Sequence, residues 1–420
     1  MRRMKLAAVA AIIGLSLSAC QQEQAAAPEP APAPAPVSTA TVFQGATLIP
    51  ADGRAPIENG VLIIDGGTIV SAAAAGAVEI PEGATIVDVT GQTIMPAIYD
   101  THVHLSGDRA GVVNDLIRRA VFGVGAAQSM GRDPDELIAT RSDLIPGGAR
   151  YFSAGRGITR PEPGRPEGIY WIESAEEGVA AVQHLASVDV DVIKIWVDDR
   201  NGQYDKLTPE MYGAIIEEAT ALNVRVMAHI YSEEDAKGLL RAGLPIFAHG
   251  IRDQDIDDET MGLFAANPDT ILSANLPDRG LPTDLSFLEG IVSAETLAAA
   301  QGENVEDAET QELFGIQARN LDRLHNAGVT VTLGTDGNTP WAPHLEIEDM
   351  VAAGLTPMEA ITVATHNSAE LLGINGGVLS PTMDADFLVL DGNPLDDITN
   401  TRAISSVYLR GEEVDRSVYP

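Results

Sequence analysis

The stretch Thr93-Ile94-Met95-Pro96-Ala97-Ile98-Tyr99-Asp100-Thr101-His102-Val103-His104 is an apolar, strand-like run that ends in His-x-His. Alternate residues of a strand share a face, so both imidazoles project to one side. A lone His-x-His pair is a weak metal signal. It gains weight only if other strand-like runs of the chain end in side chains of similar chemistry.

Such runs recur. Short apolar segments lie near residues 94–104, 121–128, 149–156, 190–197, 224–231, 244–250, 270–276 and 329–336. Helix signals separate several of them. Thr208-Pro209 offers an N-cap and a first helical residue. Ser232-Glu233-Glu234-Asp235 puts acids in a first turn, and Gly243 can close that helix. Thr356-Pro357-Met358-Glu359 has the capping-box spacing. Eight strand–helix units over about 280 residues predict an α/β fold, a (β/α)8 TIM barrel. The helix of the second unit is poorly marked, and residues 251–328 hold more chain than one unit needs.

Five of the runs end in metal-type side chains. The first supplies His102 and His104, the fourth Lys194, the fifth His229, the sixth His249 and the eighth Asp336. Each has a packing or turn role as its plain alternative. Lys194 resists that alternative most. The chain has only four lysines, Lys5, Lys194, Lys206 and Lys237, yet sets one inside Val192-Ile193-Lys194-Ile195-Trp196. An unpaired buried ammonium is costly. A barrel builds its active site at the C-terminal ends of its strands, where all six of these side chains would sit.

Residues 41–93 are rich in Val, Ile, Thr and Gly, with turn signals at Asp52-Gly53, Asn59-Gly60 and Asp65-Gly66-Gly67. They predict small antiparallel β structure. Ala385–Leu390 and Ile404–Leu409 read alike. The expected organisation is therefore a β-sandwich of residues 41–93 and 376–420 around a barrel of residues 94–375.

The N-terminus carries a basic segment, Met1-Arg2-Arg3-Met4-Lys5, and an apolar one from Leu6 to Ala19. That pattern is a secretory signal, too short to span a bilayer. Leu17-Ser18-Ala19-Cys20 resembles the lipobox of bacterial lipoproteins. The resemblance implies a signal peptide of residues 1–19, lipidation of Cys20 and a location in the bacterial cell envelope. Gln21 after the cysteine suggests the outer membrane, facing the periplasm. Residues 20–40 then form a linker whose Ala-Pro run favours extended polyproline II. Cys20 is the only cysteine, which excludes a disulfide framework. With 61 acids against 26 bases the net charge is -35, which excludes a nucleic-acid partner. The lipid anchor is the expected membrane contact, and a homo-oligomer is left open.

Taken together, Pro96-x-x-x-Asp100-x-His102-x-His104, Lys194, His229, Ala248-His249-Gly250, Gly334-Thr335-Asp336-Gly337, Thr356–Gly373 and Ala385–Leu390 resemble the amidohydrolase superfamily. The likeness is greatest to its imidazolonepropionase-like and Xaa-Pro dipeptidase-like members. Ala97 departs from the pattern, where a glycine usually follows the proline. The resemblance implies two divalent metal ions, usually zinc. His102 and His104 would bind the first with Asp336, and His229 and His249 the second. Lys194, carboxylated by carbon dioxide, would bridge them. A hydroxide between the metals would attack the scissile carbonyl, with Asp336 moving the proton.

Tyr231 lies two residues beyond His229 and could hydrogen-bond the carbonyl oxygen. Arg156 could hold a substrate carboxylate. Gln128, Trp341 and His344 lie in segments expected to follow barrel strands and are pocket candidates. His184, His325 and His366 fall in helix-like segments and read as structural. The expected activity is hydrolysis of C–N bonds in small substrates such as dipeptides or cyclic amides. Lactone or phosphotriester hydrolysis on the same centre is the enzymatic alternative. A non-catalytic metal- or ligand-binding lipoprotein is the other.

Overall fold

The computed structural model describes residues 38–417 and 419, apart from 106, 165–167 and 304. The first and the last of the described strands share one sheet. It contains β1 (Thr41–Leu48), β2 (Ile57–Asp65), β3 (Thr68–Ala74), β4 (Thr85–Asp88) and β5 (Thr93–Pro96). The chain then builds the barrel from β6 (Ile98–Val103), β7 (Val124–Ser129), β8 (Arg150–Ser153), a short parallel pair β9 (Ile158–Thr159) and β10 (Tyr170–Trp171), and β11 (Ile193–Val197). It continues with β12 (Val226–Ile230), β13 (Ile246–Phe247), β14 (Ile271–Ser273) and β15 (Thr330–Thr332). It returns to the first sheet as β16 (Phe387–Leu390), β17 (Ile404–Leu409) and β18 (Glu412–Glu413).

The order in the small sheet is β18-β17-β16-β5-β1-β2-β3, with β4 also beside β1. The expectation of purely antiparallel structure needs correction. β4 and β5 both run parallel to β1. Each reaches β1 through a connection that returns the chain in the same direction, whereas β1–β2 and β2–β3 are antiparallel. The sheet curls. β1 and β17 are three ladder steps apart, about 14 Å in a flat sheet, yet the Phe43 and Tyr408 ring centroids are 4.9 Å apart.

A second correction concerns the opening run. Residues 93–104 are two strands, not one. Thr93–Pro96 pairs with β16 and β1 in the small sheet. Ile98–Val103 pairs with β7 in the barrel. Pro96 has no N–H to extend a ladder. Ala97 makes the switch, with its N–H on the Asp386 carbonyl at 3.0 Å.

Eight parallel strands close the barrel: β6-β7-β8 and β11-β12-β13-β14-β15. The third joins the fourth through Asp191 N–H to the Ser153 carbonyl, 2.9 Å. The eighth joins the first through Thr101 N–H to the Leu333 carbonyl, also 2.9 Å. All five residues of β11 are buried, as expected where helices cover a parallel sheet. The predicted helix starts are present: Thr208, Ser232 and Thr356 each cap a helix, the last in a capping box. The second unit has only the short helix Asp135–Ile138 and a 3-10 turn. The surplus chain between β14 and β15 forms helices Ala294–Glu303 and Ala308–Asn326.

Candidate metal centre

Five barrel strands bring the predicted ligands together, all but Lys194, the second residue of β11, near or beyond the strands' C-terminal ends. His102 is fully buried on β6, and His104 lies just past its end. The eighth strand must approach the first closely to deliver Asp336. Gly334 permits this, because a Cβ there would lie 2.8 Å from the His102 Cβ. Thr335 and Asp336 then hook onto the His102 carbonyl through their N–H groups, at 3.0 and 2.8 Å. Asp336 adopts φ +54°, a left-handed conformation that Asp tolerates better than most residues. Its Oδ1 lies 2.9 Å from His104 Nε2 and 3.2 Å from His102 Nε2. The ligand atoms of these three residues all lie within 4.8 Å of one another, a geometry that can hold one cation.

The other imidazoles continue the cluster. His102 and His249 stack with ring centroids 6.2 Å apart, and His249 meets His229 at 4.4 Å. His229 Nδ1 and His249 Nε2 face each other at 2.6 Å. Lys194 Nζ is 3.4 Å from His102 Nε2 and has no carboxylate within 4 Å among the described residues. Its ammonium also lies 5.6 Å from the Trp196 ring centroid.

Hydrogen bonds to the far side of two of the rings, His102 and His229, fix which nitrogen keeps a lone pair, whereas Nδ1 of His104 and of His249 is buried with no partner. His102 Nδ1 faces the Ala248 carbonyl at 3.1 Å. With the Asn275 amide turned so that its oxygen accepts, it also faces Asn275 Oδ1 at 3.1 Å. Nδ1 therefore holds the proton and Nε2 is free. On His229 the roles are reversed: Nε2–H donates to Asp198 Oδ2 at 2.9 Å, leaving Nδ1 free toward His249.

Burial disfavours the charged form of His102, His229 and His249. It lowers His102 to about 4 and His229 to about 3, and it drives His249 well below the usual range. Burial also lowers the Lys194 amine to about 7. Burial would raise Asp336, but the nearby His102 and His104 outweigh it and keep the carboxyl ionised. The result is a set of imidazole lone pairs beside one carboxylate. That donor set suits a divalent ion such as zinc, cobalt or manganese.

Several residues of the centre were not read from the sequence. Asp198 shares a face with Lys194 and Trp196, so the alternation Lys194-x-Trp196-x-Asp198 was the available signal. Arg200 binds Asp198 at 2.6 Å. Asp100, quoted in the opening motif but given no role there, accepts from the N–H of His102 and of Thr335 and from Thr335 Oγ1, and it lies 3.5 Å from Arg119. Burial raises Asp100 to about 6 despite Arg119. Arg252 and Gln317 line the cavity beside Asp336. No sequence periodicity pointed to either.

The remaining predicted residues divide. Tyr231 lines the same 390 Å³ cavity as Asp336, and its hydroxyl bonds no described residue. Arg156 lies 3.7 Å from Asp135 and 5.3 Å from the Tyr170 ring centroid and does not line that cavity. Gln128 is buried, and its Nε2 donates to the Thr101 carbonyl at 3.0 Å. Its amide braces the first strand rather than facing a pocket. His344 and Trp341 are corrected as pocket residues. By Ala342 the chain has left the strand end and entered a helix. His344 Nε2–H donates to the Phe122 carbonyl at 2.9 Å, and Trp341 packs on the Phe122 ring. His184 pairs with Asp135 on a helix, away from the cluster. Cys20 lies outside the described residues.

The arrangement has known relatives. A model of the amidohydrolase family matches residues 93–414. Ochratoxinase of Aspergillus niger is 24% identical over 446 aligned positions, covering 89% of this chain and 86% of its own. Imidazolonepropionase of Deinococcus radiodurans is 26% identical over 391, covering 85% and 92%. A solved Xaa-Pro dipeptidase with methionine in its active site shares the fold, with TM-score 0.71 at 21% identity over 89% of this chain and 99% of that one. The chain belongs to the amidohydrolase family.

Proposed function

We propose that this hydrolase cleaves C–N bonds of small amides, dipeptides and cyclic amides among them, with two divalent ions held at the cluster. The observation that carries the reading is the position of Asp336. One oxygen meets His102 and His104, and the same residue forms the end of a cavity large enough for a small amide. His102, His104 and Asp336 would hold one ion, and His229 and His249 the other. Lys194 would join them after its neutral amine adds carbon dioxide and loses a proton. When bound, such ions activate water at neutral pH and polarise a carbonyl.

The side chains do the rest. Asp336 accepts a proton from the attacking water and passes it to the leaving nitrogen. An amine needs that proton to depart, so a carboxylate placed to deliver it supports C–N cleavage. Tyr231 donates a hydrogen bond to the carbonyl oxygen as it gains charge. Asp198 holds His229 in the tautomer whose Nδ1 is free. The N-terminal lipobox supports an anchored enzyme of the cell envelope, and Cys20→Ala should release it from the membrane fraction.

A screen of dipeptides, N-acyl amino acids and cyclic amides with zinc- or manganese-loaded protein tests the reading. Turnover abolished by chelator and restored by metal is expected. Turnover of lactones or phosphotriesters alone would contradict it.

A further inference from the structure

The cavity beside Asp336 is lined by two polar side chains that the mechanism above does not use, Arg252, partly buried, and Gln317, buried. Arg252 follows the sixth strand. Its Nε is buried with no partner. Among the described residues only one carboxylate comes within 4 Å of its guanidinium, Asp336, whose Oδ2 is 3.9 Å from Nη2. That is too long for a hydrogen bond. Gln317, from helix Ala308–Asn326, is 4% exposed, and its Oε1 is also without a partner. Leu276 and Leu313 give the same cavity an apolar wall. Asp278 lies there too, but its Oδ1 accepts from Gly280 N–H within its own turn at 2.6 Å.

Buried polar groups are normally bonded, and Arg252 Nε is a buried donor with its partner missing, while the rest of the guanidinium, partly exposed, lines the cavity. Arg presents a fork that matches a carboxylate. We infer that Arg252 binds the α-carboxylate of the leaving amino acid, so that the preferred substrates are N-acyl amino acids and dipeptides with a free C-terminus. This rests on the C–N hydrolase reading. The spacing fits an α-amino acid. Its nitrogen and nearer carboxylate oxygen are about 3 Å apart. Asp336, which protonates that nitrogen, and Arg252, which would hold that carboxylate, are themselves 3.9 Å apart. Leu276 and Leu313 then favour an apolar C-terminal side chain. Arg156, which the sequence offered for this task, does not line this cavity; it lies 3.7 Å from Asp135 and 5.3 Å from the Tyr170 ring centroid.

The test compares N-acetyl-L-leucine and glycyl-L-leucine with their C-terminal amides on the metal-loaded full chain. The free acids should be cleaved with kcat/KM about 100-fold higher. Arg252→Gln should bring that ratio below about 5, mainly through KM for the acids, and Arg252→Lys should restore part of it. An unchanged ratio in Arg252→Gln would overturn the assignment. So would a wild-type enzyme that cleaves amides and acids equally well, although the C–N hydrolase reading would then stand. Failure to cleave any C–N substrate would overturn both. Melting temperature and metal content check that the variants fold. If Arg252→Gln does not fold, Arg252→Met replaces it. It should likewise bring the ratio below about 5, and an unchanged ratio would count against the site.

Discussion

The two halves of the histidine cluster are built differently. His102, His104 and Asp336 converge directly, with an anionic ligand among them and ligand atoms within 4.8 Å. The carboxylate arrives from the far end of the chain and is locked to the first strand by two N–H bonds to one carbonyl. His229 and His249 have no carboxylate of their own between them. Their negative charge stands one step back, on Asp198 behind His229. One half therefore carries its charge as a ligand, and the other borrows it through a ring. The difference teaches that the second half depends on its supporting residue and on Lys194 more than the first does.

The largest expected effect falls on the first half. Asp336→Asn removes both the anionic ligand and the proton carrier, and should lower kcat by about 10⁴. Steady-state rates at saturating metal check this. A loss under tenfold would show that the proton moves by another group.

Acid should separate the halves next. Burial lowers His102 from an ordinary 6.5 to about 4. In metal-free protein the unfolded chain binds a proton in that window that the folded ring refuses. Stability is therefore full above pH 6.5 and is lost as pH falls toward 4. Metal-free wild type should lose more stability between pH 7 and 4 than metal-free His102→Asn, by on the order of 3 kcal/mol. Denaturant titrations at both pH values measure it, and equal losses would contradict the buried, neutral ring.

A smaller effect should mark the second half alone. Asp198→Asn should weaken one of two bound ions by about 10- to 100-fold and leave the other in place. Competition with a chelator resolves the two. Equal weakening of both ions would erase the contrast between the halves. Tyr231→Phe should do least, with kcat down about 10-fold and metal content intact. Its side chain is partly exposed, and solvent can replace part of its hydrogen bond.

Much of this was legible in the sequence, for identifiable reasons. Barrel strands are short apolar runs, and their C-terminal residues carry the chemistry, so all six cluster residues could be named before their contacts were known. Lys194 stood out because its ammonium had no bland use in an apolar run. Period-two alternation would also have reached Asp198 from Lys194. Other features depend on what the chain does between strands. The split at Ala97 depends on which sheet offers hydrogen bonds on each side of Pro96. Arg252 and Gln317 line one cavity because the surplus chain before the eighth strand folds as a helix that brings Gln317 there. His344 and Trp341 were misplaced because proximity in sequence to a strand end does not say where the following helix begins.

The most direct test is metal analysis of the chain loaded with zinc or manganese in bicarbonate, beside Lys194→Ala. The account predicts about two ions per chain and chelator-sensitive hydrolysis of an N-acyl amino acid. The variant should lose metal and activity together and regain part of both with short carboxylic acids. One ion at saturation, or a fully active Lys194→Ala enzyme, would contradict it.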